Sequence, residues 1–293
     1  MQQAAESGPV QSRGFSAAEL ERFRLLQRQA YATLERAAQS LRIGESEIEV
    51  ARRLRKDFAG QGVRSYFHVP VALFGERSAY PGAFGQLEAL PTARALKEGD
   101  AVILDAAPIY DGYTVDVSLA VPRPGSEAAF KKSDELLRSL HGLILQRTRE
   151  RKHTMREISR EVDAQIVKQG FENCHRKHIG KVLGHRIVRT RSPMLARRRL
   201  WGLSPLPVGW FFLRSFQSTR GQPQLSPNWN HTRQSDCLPQ PGLWAIEPHV
   251  GLGGFGAKFE EILVVTETDA HYLDDALPHH RRWAALKNTR SLQ

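Results

Sequence analysis

Apolar residues recur at near-helical spacing in the first part of the chain, which predicts a long amphipathic helix. The recurring positions are Leu20, Phe23, Ala30, Leu34 and Leu41. Ser16 and Glu19 form a capping box, in which a hydroxyl and a carboxylate each accept a hydrogen bond from a free backbone amide. We therefore expect the helix to begin at this box, to run to about Leu41 and to be broken by Gly44.

A shorter helix and a β-like segment follow. The inward-facing positions of this helix are Ile48, Ala51, Leu54 and Phe58. Its end is predicted at Gly60 and Gly62, because glycine readily ends helices. The segment from Tyr66 to Phe74 is β-like, with Pro70 indicating an edge strand, and residues 75–90 are predicted to form a loop.

The second half of the chain repeats this order of elements. One helix is predicted from the apolar positions Leu136, Leu137, Leu140 and Ile144. A second capping box, at Thr154 and Glu157, opens a shorter helix that stops at Gly170. The repeat is one of element order and not of residues. It predicts an α+β protein of two similar halves with a site between them.

The stretch from Ala101 to Leu119 carries the first candidate chemistry. An apolar run ends in Asp105, the turn Asp111-Gly112 follows, and Asp116 lies on the second arm of the predicted hairpin. Buried carboxylates on neighbouring strands repel each other unless a cation lies between them, and a divalent metal is the usual cation. Two unrelated aspartates at strand ends are an equal alternative for this stretch alone.

The second half supplies further polar residues at strand boundaries. His185 follows a short β-like run, Glu247 ends an apolar run just before Pro248, and Glu260 and Glu261 open a β-branched strand. Each of these positions alone has an ordinary structural interpretation. The combination of two aspartates, a histidine and two glutamates at strand boundaries favours a metal site, because acids that enter such strands are costly unless they are paired.

Composition and charge limit the class of protein. At 293 residues and 41% hydrophobic, the chain can bury a core, and its two cysteines do not form a disulfide framework. The polar N-terminal stretch is no signal peptide and no apolar run is long enough to span a membrane, so a cytoplasmic protein is expected. The net charge of +11 allows an acidic or nucleic-acid partner, but the arginines are scattered and no RNA-binding motif is present. We expect no specific nucleic acid and no membrane partner.

These residues resemble those of the pita-bread metallopeptidases, which include methionine aminopeptidase, aminopeptidase P and prolidase. The resemblance extends from about Ala17 to Thr268, and its motifs are an Asp, a second Asp eleven residues later, a Gly-His, a Glu-Pro and a Glu that opens a strand. The corresponding ligands are Asp105, Asp116, His185, Glu247 and Glu260. The resemblance implies a pita-bread fold with two pseudo-symmetric halves around a dimetal site. It places Glu261 on the other strand face, as a residue behind the ligands or a surface acid.

The resemblance also implies a mechanism. Two divalent ions about 3.5–4 Å apart would share a bridging hydroxide. Asp116 and Glu260 would bridge both ions, Asp105 would bind one, and His185 with Glu247 would bind the other. The ligand set suits Mn, Co, Fe or Zn, with manganese favoured, and Glu247 would also handle the proton.

The chain departs from the family at its histidines. Family members carry one histidine in the loop before the first Asp and another shortly after the Gly-His, and both are missing here. His68, His231 and His249 are the available substitutes. His249 is best placed, since it lies two residues beyond Glu247 and would face the same side of a strand. An ordinary loop position is favoured for His68 and His231, although His68 is kept with Glu247 and His249 as a catalytic candidate.

A long segment separates His185 from Glu247. Its aromatic residues argue against disorder and leave a lid over the site and a homodimer contact as alternatives. The predicted organisation is a flexible tail at 1–14, one catalytic domain at 15–284 with an insertion at about 186–240, and a C-terminal tail at 285–293. The resulting functional hypothesis is a dimetal exopeptidase that acts on short peptides, of aminopeptidase or Xaa-Pro type. The alternatives are a non-catalytic protein that binds protein or RNA, and a hydrolase of a non-peptide substrate.

Overall fold

The computed structural model describes residues 8–82 and 86–290. Residues 83–85 of the predicted 75–90 loop, and residues 1–7 and 291–293 of the predicted tails, lie outside the described part. The helices are α1 (Ala17–Gln39), α2 (Glu47–Gly60), α3 (Glu127–Glu150), α4 (Met155–Lys168), α5 (Pro193–Ala196), α6 (Pro205–Thr219) and α7 (Pro278–Arg290).

The strands are short except for one of eleven residues near the end of the chain. They are β1 (Val10–Gln11), β2 (Ser65–Tyr66), β3 (Val71–Phe74), β4 (Val102–Ala106), β5 (Pro108–Tyr110), β6 (Tyr113–Thr114), β7 (Val117–Val121), β8 (Glu172–Asn173), β9 (Val182–Ile187), β10 (Arg189–Thr190), β11 (Asn228–Asn230), β12 (Gly242–Ile246), β13 (His249–Leu252), β14 (Phe255–Val265) and β15 (Ala270–Tyr272). Single turns of 3-10 helix, at Gly75–Ala79 and Gln86–Ala89, lie in the predicted loop.

The predicted helices form, and side chains cap them. The capping boxes at Ser16 and Thr154 are confirmed, and a third box at Ser46 and Glu49 opens α2. The inward face of α2 differs from the prediction at one position, because Ile48 is exposed and Val50 is buried in its place. In the first turn of α2 the buried position is Glu47, so the neighbouring Ile48 falls outside the buried face.

The main sheet has the order β11-β9-β12-β14-β7-β4-β3, with β13 and β15 paired to β14. Strands β4 and β7 come from the first half of the chain, and β9 and β12 come from the second half. Strand β14 lies between β7 and β12, and all eleven of its residues are buried. The strand therefore joins the two halves and brings their side chains to one place.

A smaller sheet has the order β1-β10-β6-β5-β2. Val10 and Gln11 are buried in it, opposite Thr190 and Arg189. Residues 10 and 11 therefore do not form the loose tail that the sequence predicts, because the edge of β10 offers them backbone partners. At the other end, α7 continues beyond residue 285, the predicted start of the C-terminal tail. None of the helices in the described ranges is long and apolar enough to cross a membrane.

Candidate metal centre

The predicted hairpin places the two aspartates side by side. Strands β4 and β7 are antiparallel neighbours, with Asp105 opposite Ser118, and Asp116 precedes β7. The turn has positive φ at Asp111 (47°) and Gly112 (93°), as two-residue hairpin turns require. A side chain at Gly112 would meet the carbonyl oxygen of Thr190 at 2.1 Å, so only glycine fits there.

Three residues of the second half reach the same place. His185 lies on β9, Glu247 follows β12, and Glu260 lies on β14. The Nε2 atom of His185 is 3.2 Å from Oδ2 of Asp116, 3.8 Å from Oε1 of Glu260 and 3.9 Å from Oε1 of Glu247. The structure therefore brings together four of the five proposed ligands, from both halves of the chain, as the sequence predicts.

Lys258 links the fifth proposed ligand to this cluster. Its Nζ atom lies 2.9 Å from Asp105, 2.9 Å from Glu247 and 3.1 Å from Glu260. The lysine is buried, and its three acidic neighbours hold its pKa well above its usual value although burial opposes this. No role is predicted for Lys258 from the sequence, although strand alternation places residues 258 and 260 on one face.

The donor set fits divalent cations. Oδ1 of Asp105 and both carboxylate oxygens of Glu260 are buried and accept no well-aligned hydrogen bond from the described residues, although Nε2 of His68 lies 3.4 Å from Oδ1 of Asp105 and Nζ of Lys258 lies 3.1 Å from Oε2 of Glu260. Burial and the negative charge of Asp116 together raise the pKa of Glu260 to about 8. Buried oxygens without donors are costly, and a cation relieves that cost. Two sets of three residues have ligand atoms within 4.8 Å of one another. One set is Asp116, His185 and Glu260, and the other is His68, Asp105 and Asp116.

His68 lies at the cluster and not in a remote loop. Its Nε2 atom is 3.0 Å from Oδ1 of Asp116 and 3.4 Å from Oδ1 of Asp105, and its side chain is 38% exposed. The ordinary loop interpretation that the sequence favours for His68 is thus wrong. His231 lies elsewhere, since the charges that influence its pKa belong to Arg176, Asp163, Lys181 and His175.

His249 lies behind the cluster and not beside Glu247. Its Nε2 is 2.6 Å from the Ser78 carbonyl oxygen, and its Nδ1 is 3.0 Å from Nε2 of His178. His178, for which the sequence predicts no role, places its Nδ1 3.0 Å from Oε2 of Glu247. Strand alternation does not place His249 beside Glu247, because β12 ends at Ile246 and β13 begins at His249, so Glu247 and Pro248 interrupt the strand.

The long segment contributes an aromatic wall to the centre. Phe67 stacks on the His185 ring with centroids 5.4 Å apart, and Phe211 of α6 lies with its ring centroid 6.0 Å from the same ring. The next residue, Phe212, is 63% exposed. One side of α6 therefore packs against a proposed ligand and the other side faces solvent.

Glu261 faces away from this centre and is no surface acid. Its carboxylate is fully buried and is hydrogen-bonded to His141, His279 and His280. Strand alternation correctly predicts the opposite face. The surface alternative is wrong because α3 and α7 cover that face of β14.

Known proteins resemble this chain in sequence and in fold. The Bacillus subtilis (strain 168) protein YkvY is 34% identical over 79 residues, which are 27% of this chain and 20% of that protein. The X-Pro aminopeptidase of Thermotoga maritima MSB8 superposes with a TM-score of 0.59 at 17% identity, over 88% of this chain and 61% of its own. The Xaa-Pro dipeptidase of Bacillus anthracis superposes with a TM-score of 0.59 at 19% identity, over 88% of this chain and 61% of its own.

These likenesses confirm the predicted pita-bread fold. The chain spans less than two thirds of the length of these relatives. The family model described as Metallopeptidase family M24 matches residues 21–267, a range that contains all five proposed ligands and nearly all of both halves. On that match, the chain belongs to metallopeptidase family M24.

Proposed function

We propose that this chain is a metal-dependent exopeptidase that hydrolyses short peptides, with Xaa-Pro peptides as its preferred class. The observation that carries the proposal is the buried set of carboxylates around His185, in which three oxygens accept no well-aligned hydrogen bond from the described residues. A binding module would gain nothing from keeping such costly groups together.

Asp105, Asp116, His185, Glu247 and Glu260 would hold divalent metal ions, with two ions expected from the family resemblance and manganese the favoured metal. When bound, such ions supply Lewis acidity toward the scissile carbonyl and an acidified water. The five side chains come from five strands or their ends, so the fold positions the ligands before a substrate arrives.

Glu247 is the residue that we assign to proton transfer. The carbonyl of Ser78 can only accept, so Nε2 of His249 donates to it and Nδ1 of His249 accepts from Nε2 of His178. The remaining Nδ1 of His178 then faces Oε2 of Glu247 at 3.0 Å, and the contact is favourable when a proton lies between them. The histidine pair therefore gives Glu247 a place to hold a proton.

The aromatic wall supports an exopeptidase with a bounded pocket. Phe211 and Phe67 pack around His185, and His68 remains partly exposed beside Asp116. A pocket that is closed on one side suits a chain end better than the middle of a polypeptide. The Xaa-Pro preference rests on the names of the relatives from Thermotoga maritima and Bacillus anthracis, and on the missing family histidines.

The test is a peptide screen on the full chain with manganese or cobalt added. Matched peptides with a free and an N-acetylated terminus are compared, and each Xaa-Pro peptide has an Xaa-Ala partner. We expect cleavage of the free Xaa-Pro peptides. Equal cleavage of the acetylated peptides would contradict an exopeptidase, and failure to cleave any peptide would favour a non-peptide substrate.

A further inference from the structure

A second group of metal-ligating side chains converges on the opposite face of β14. Strand β14 provides Glu261, α3 provides His141, and the first turn of α7 provides His279 and His280. Nε2 of His280 is 2.9 Å from Oε2 of Glu261, and Nε2 of His279 is 3.1 Å from the same oxygen. Nε2 of His141 contacts the other oxygen, Oε1. Three imidazoles from two helices thus point the same ring atom at one carboxylate.

The surroundings of this group are aromatic and buried. His141 stacks on Tyr272 with ring centroids 3.8 Å apart, and Trp283 lies 4.8 Å from the ring of His279. Glu261 is fully buried, and the hydrogen bonds described for its side chain all involve imidazoles. An ionised carboxylate in such surroundings needs a cationic partner, and a neutral imidazole supplies no net charge.

The donor set matches one class of cation. Imidazole nitrogens and carboxylate oxygens are both zinc ligands, and three of the first with one of the second would complete a four-coordinate, tetrahedral site. The ligand atoms of His141, Glu261 and His280 all lie within 4.8 Å of one another, so small side-chain rotations bring them to one ion. We propose that Glu261, His141, His279 and His280 form a structural zinc site, separate from the centre on the other face of β14.

Such a site would fasten the last helix to the sheet. Among the described contacts, α7 is also held near this point by Arg282 and Trp283, which pair with Asp134 of α3, and by Arg281, which pairs with Glu35 of α1. An ion that binds only the folded chain stabilises it by mass action. The rival interpretation is a metal-free network of hydrogen bonds between one carboxylate and three histidines, which would be insensitive to zinc.

The experiment measures zinc in a chain whose candidate metal centre around His185 is disabled. The double variant Asp116→Asn with Glu260→Gln is stripped with a chelator, dialysed against zinc and assayed by elemental analysis and thermal melting. We expect it to retain about one zinc per chain and to melt at a higher temperature with zinc than without. Adding His280→Gln should remove both effects. His271→Gln, at an exposed histidine on β15, is the matched control and should remove neither.

If the double variant fails to fold, a second measurement uses chains that keep Asp116 and Glu260. Cobalt replaces zinc, and the visible absorption of a four-coordinate cobalt centre is compared among the wild type, His280→Gln and His271→Gln. Loss of the bands in His280→Gln alone supports the site. Equal zinc content and equal melting curves in the His280→Gln and His271→Gln chains would overturn it and leave the hydrogen-bonded network.

Discussion

Glu260 and Glu261 are consecutive residues whose carboxylates lie on opposite faces of β14, and both are buried. Oε1 of Glu260 is 3.8 Å from Nε2 of His185, whereas Oε2 of Glu261 is 2.9 Å from Nε2 of His280. One strand thus presents an acid to each of two polar clusters. Substitutions at the two positions should therefore have separate effects.

Replacing a proposed ligand should lower metal content and activity together. Glu260→Gln and Asp116→Asn each remove a charge that the other ligands cannot replace, so we expect kcat/KM on a cleaved peptide to fall by about 100-fold or more. Metal per chain should also fall, as measured by elemental analysis. Glu267→Gln, at an exposed glutamate shortly after β14, is the matched control and should leave both quantities unchanged. Full metal content in both ligand variants would show that the ligand assignment is wrong.

Lys258 should oppose metal binding while it stabilises the metal-free chain. Its ammonium lies within 3.1 Å of three acids, so Lys258→Met leaves buried carboxylates uncompensated and should cost about 3–5 kcal/mol without metal. Removing the same charge lessens repulsion of a bound cation. The rise in Tm on adding manganese should therefore be larger in Lys258→Met than in wild type. Lys258→Arg keeps the charge and is the control; an equal rise in all three chains would contradict the prediction.

His178 should affect the proton-transfer step and leave metal content intact. His178→Ala removes the ring that contacts Oε2 of Glu247, and general acid–base support of this kind contributes about 100-fold or more to kcat. We expect kcat to fall, the pH profile of kcat to shift and the metal per chain to stay constant. His231→Ala provides the control at a half-buried histidine away from the centre. Loss of metal together with kcat would instead make His178 a structural support of the ligands.

Phe211 and Phe212 offer a matched pair on one helix. Phe211 packs against His185 and Phe67, whereas Phe212 is 63% exposed. Phe211→Ala removes packing that orients a proposed ligand, and kcat/KM should fall by roughly 10-fold or more. Phe212→Ala should change kcat/KM by less than about twofold, as surface substitutions usually do. Similar kinetics for the two variants would argue against a role of α6 in the pocket.

The Arg28–Asp274 pair should make stability depend on pH. Burial alone would raise the pKa of Asp274, but hydrogen bonds from Arg28 and from the Ala276 amide outweigh burial and hold the pKa below its usual value. A depressed acid adds stability that is complete above the unfolded pKa of about 3.9 and is lost as the pH falls through the folded pKa. Since Arg28 is 41% exposed, about 1 kcal/mol is expected.

The measurement for this pair is urea unfolding at two pH values. Asp274→Asn should be less stable than wild type at pH 7, and the difference should shrink at pH values well below 3.9. Asp275→Asn, one residue away and exposed, is the control and should show no such difference. A difference between Asp274→Asn and wild type that stays constant with pH would rule out the linkage.

Local pattern was enough to predict α1 to α4 and the hairpin, whereas α5, α6 and α7 were not predicted and the choice of ligands needed the family resemblance. Asp105 and Glu247 each stand where an apolar run stops, and that abrupt change is visible in the sequence. His178 could not be predicted in this way, because its importance comes from contacts with Glu247 and His249 that only the folded chain creates.

Two further differences between the predicted and the observed structure, at Glu261 and at residues 10 and 11, have physical reasons. The environment of Glu261 depends on which element covers the second face of β14, and α7 gives little pattern from which to predict that packing. Val10 and Gln11 gain their order from the edge of β10, a partner that lies far along the chain. In both cases the local sequence is compatible with exposure, and a distant segment determines burial.

The central place of β14 has a consequence for synthesis of the protein. Until β14 emerges from the ribosome, β7 and β12 each have an edge without the neighbour that they will later share. At ordinary rates of translation, the edge of β7 waits on the order of ten seconds. Unpaired strand edges recruit other chains, so a nascent chain stopped before β14 should aggregate unless a chaperone holds it. Because β14 joins the two halves and is synthesised late, the edges of β7 and β12 stay unpaired until it emerges.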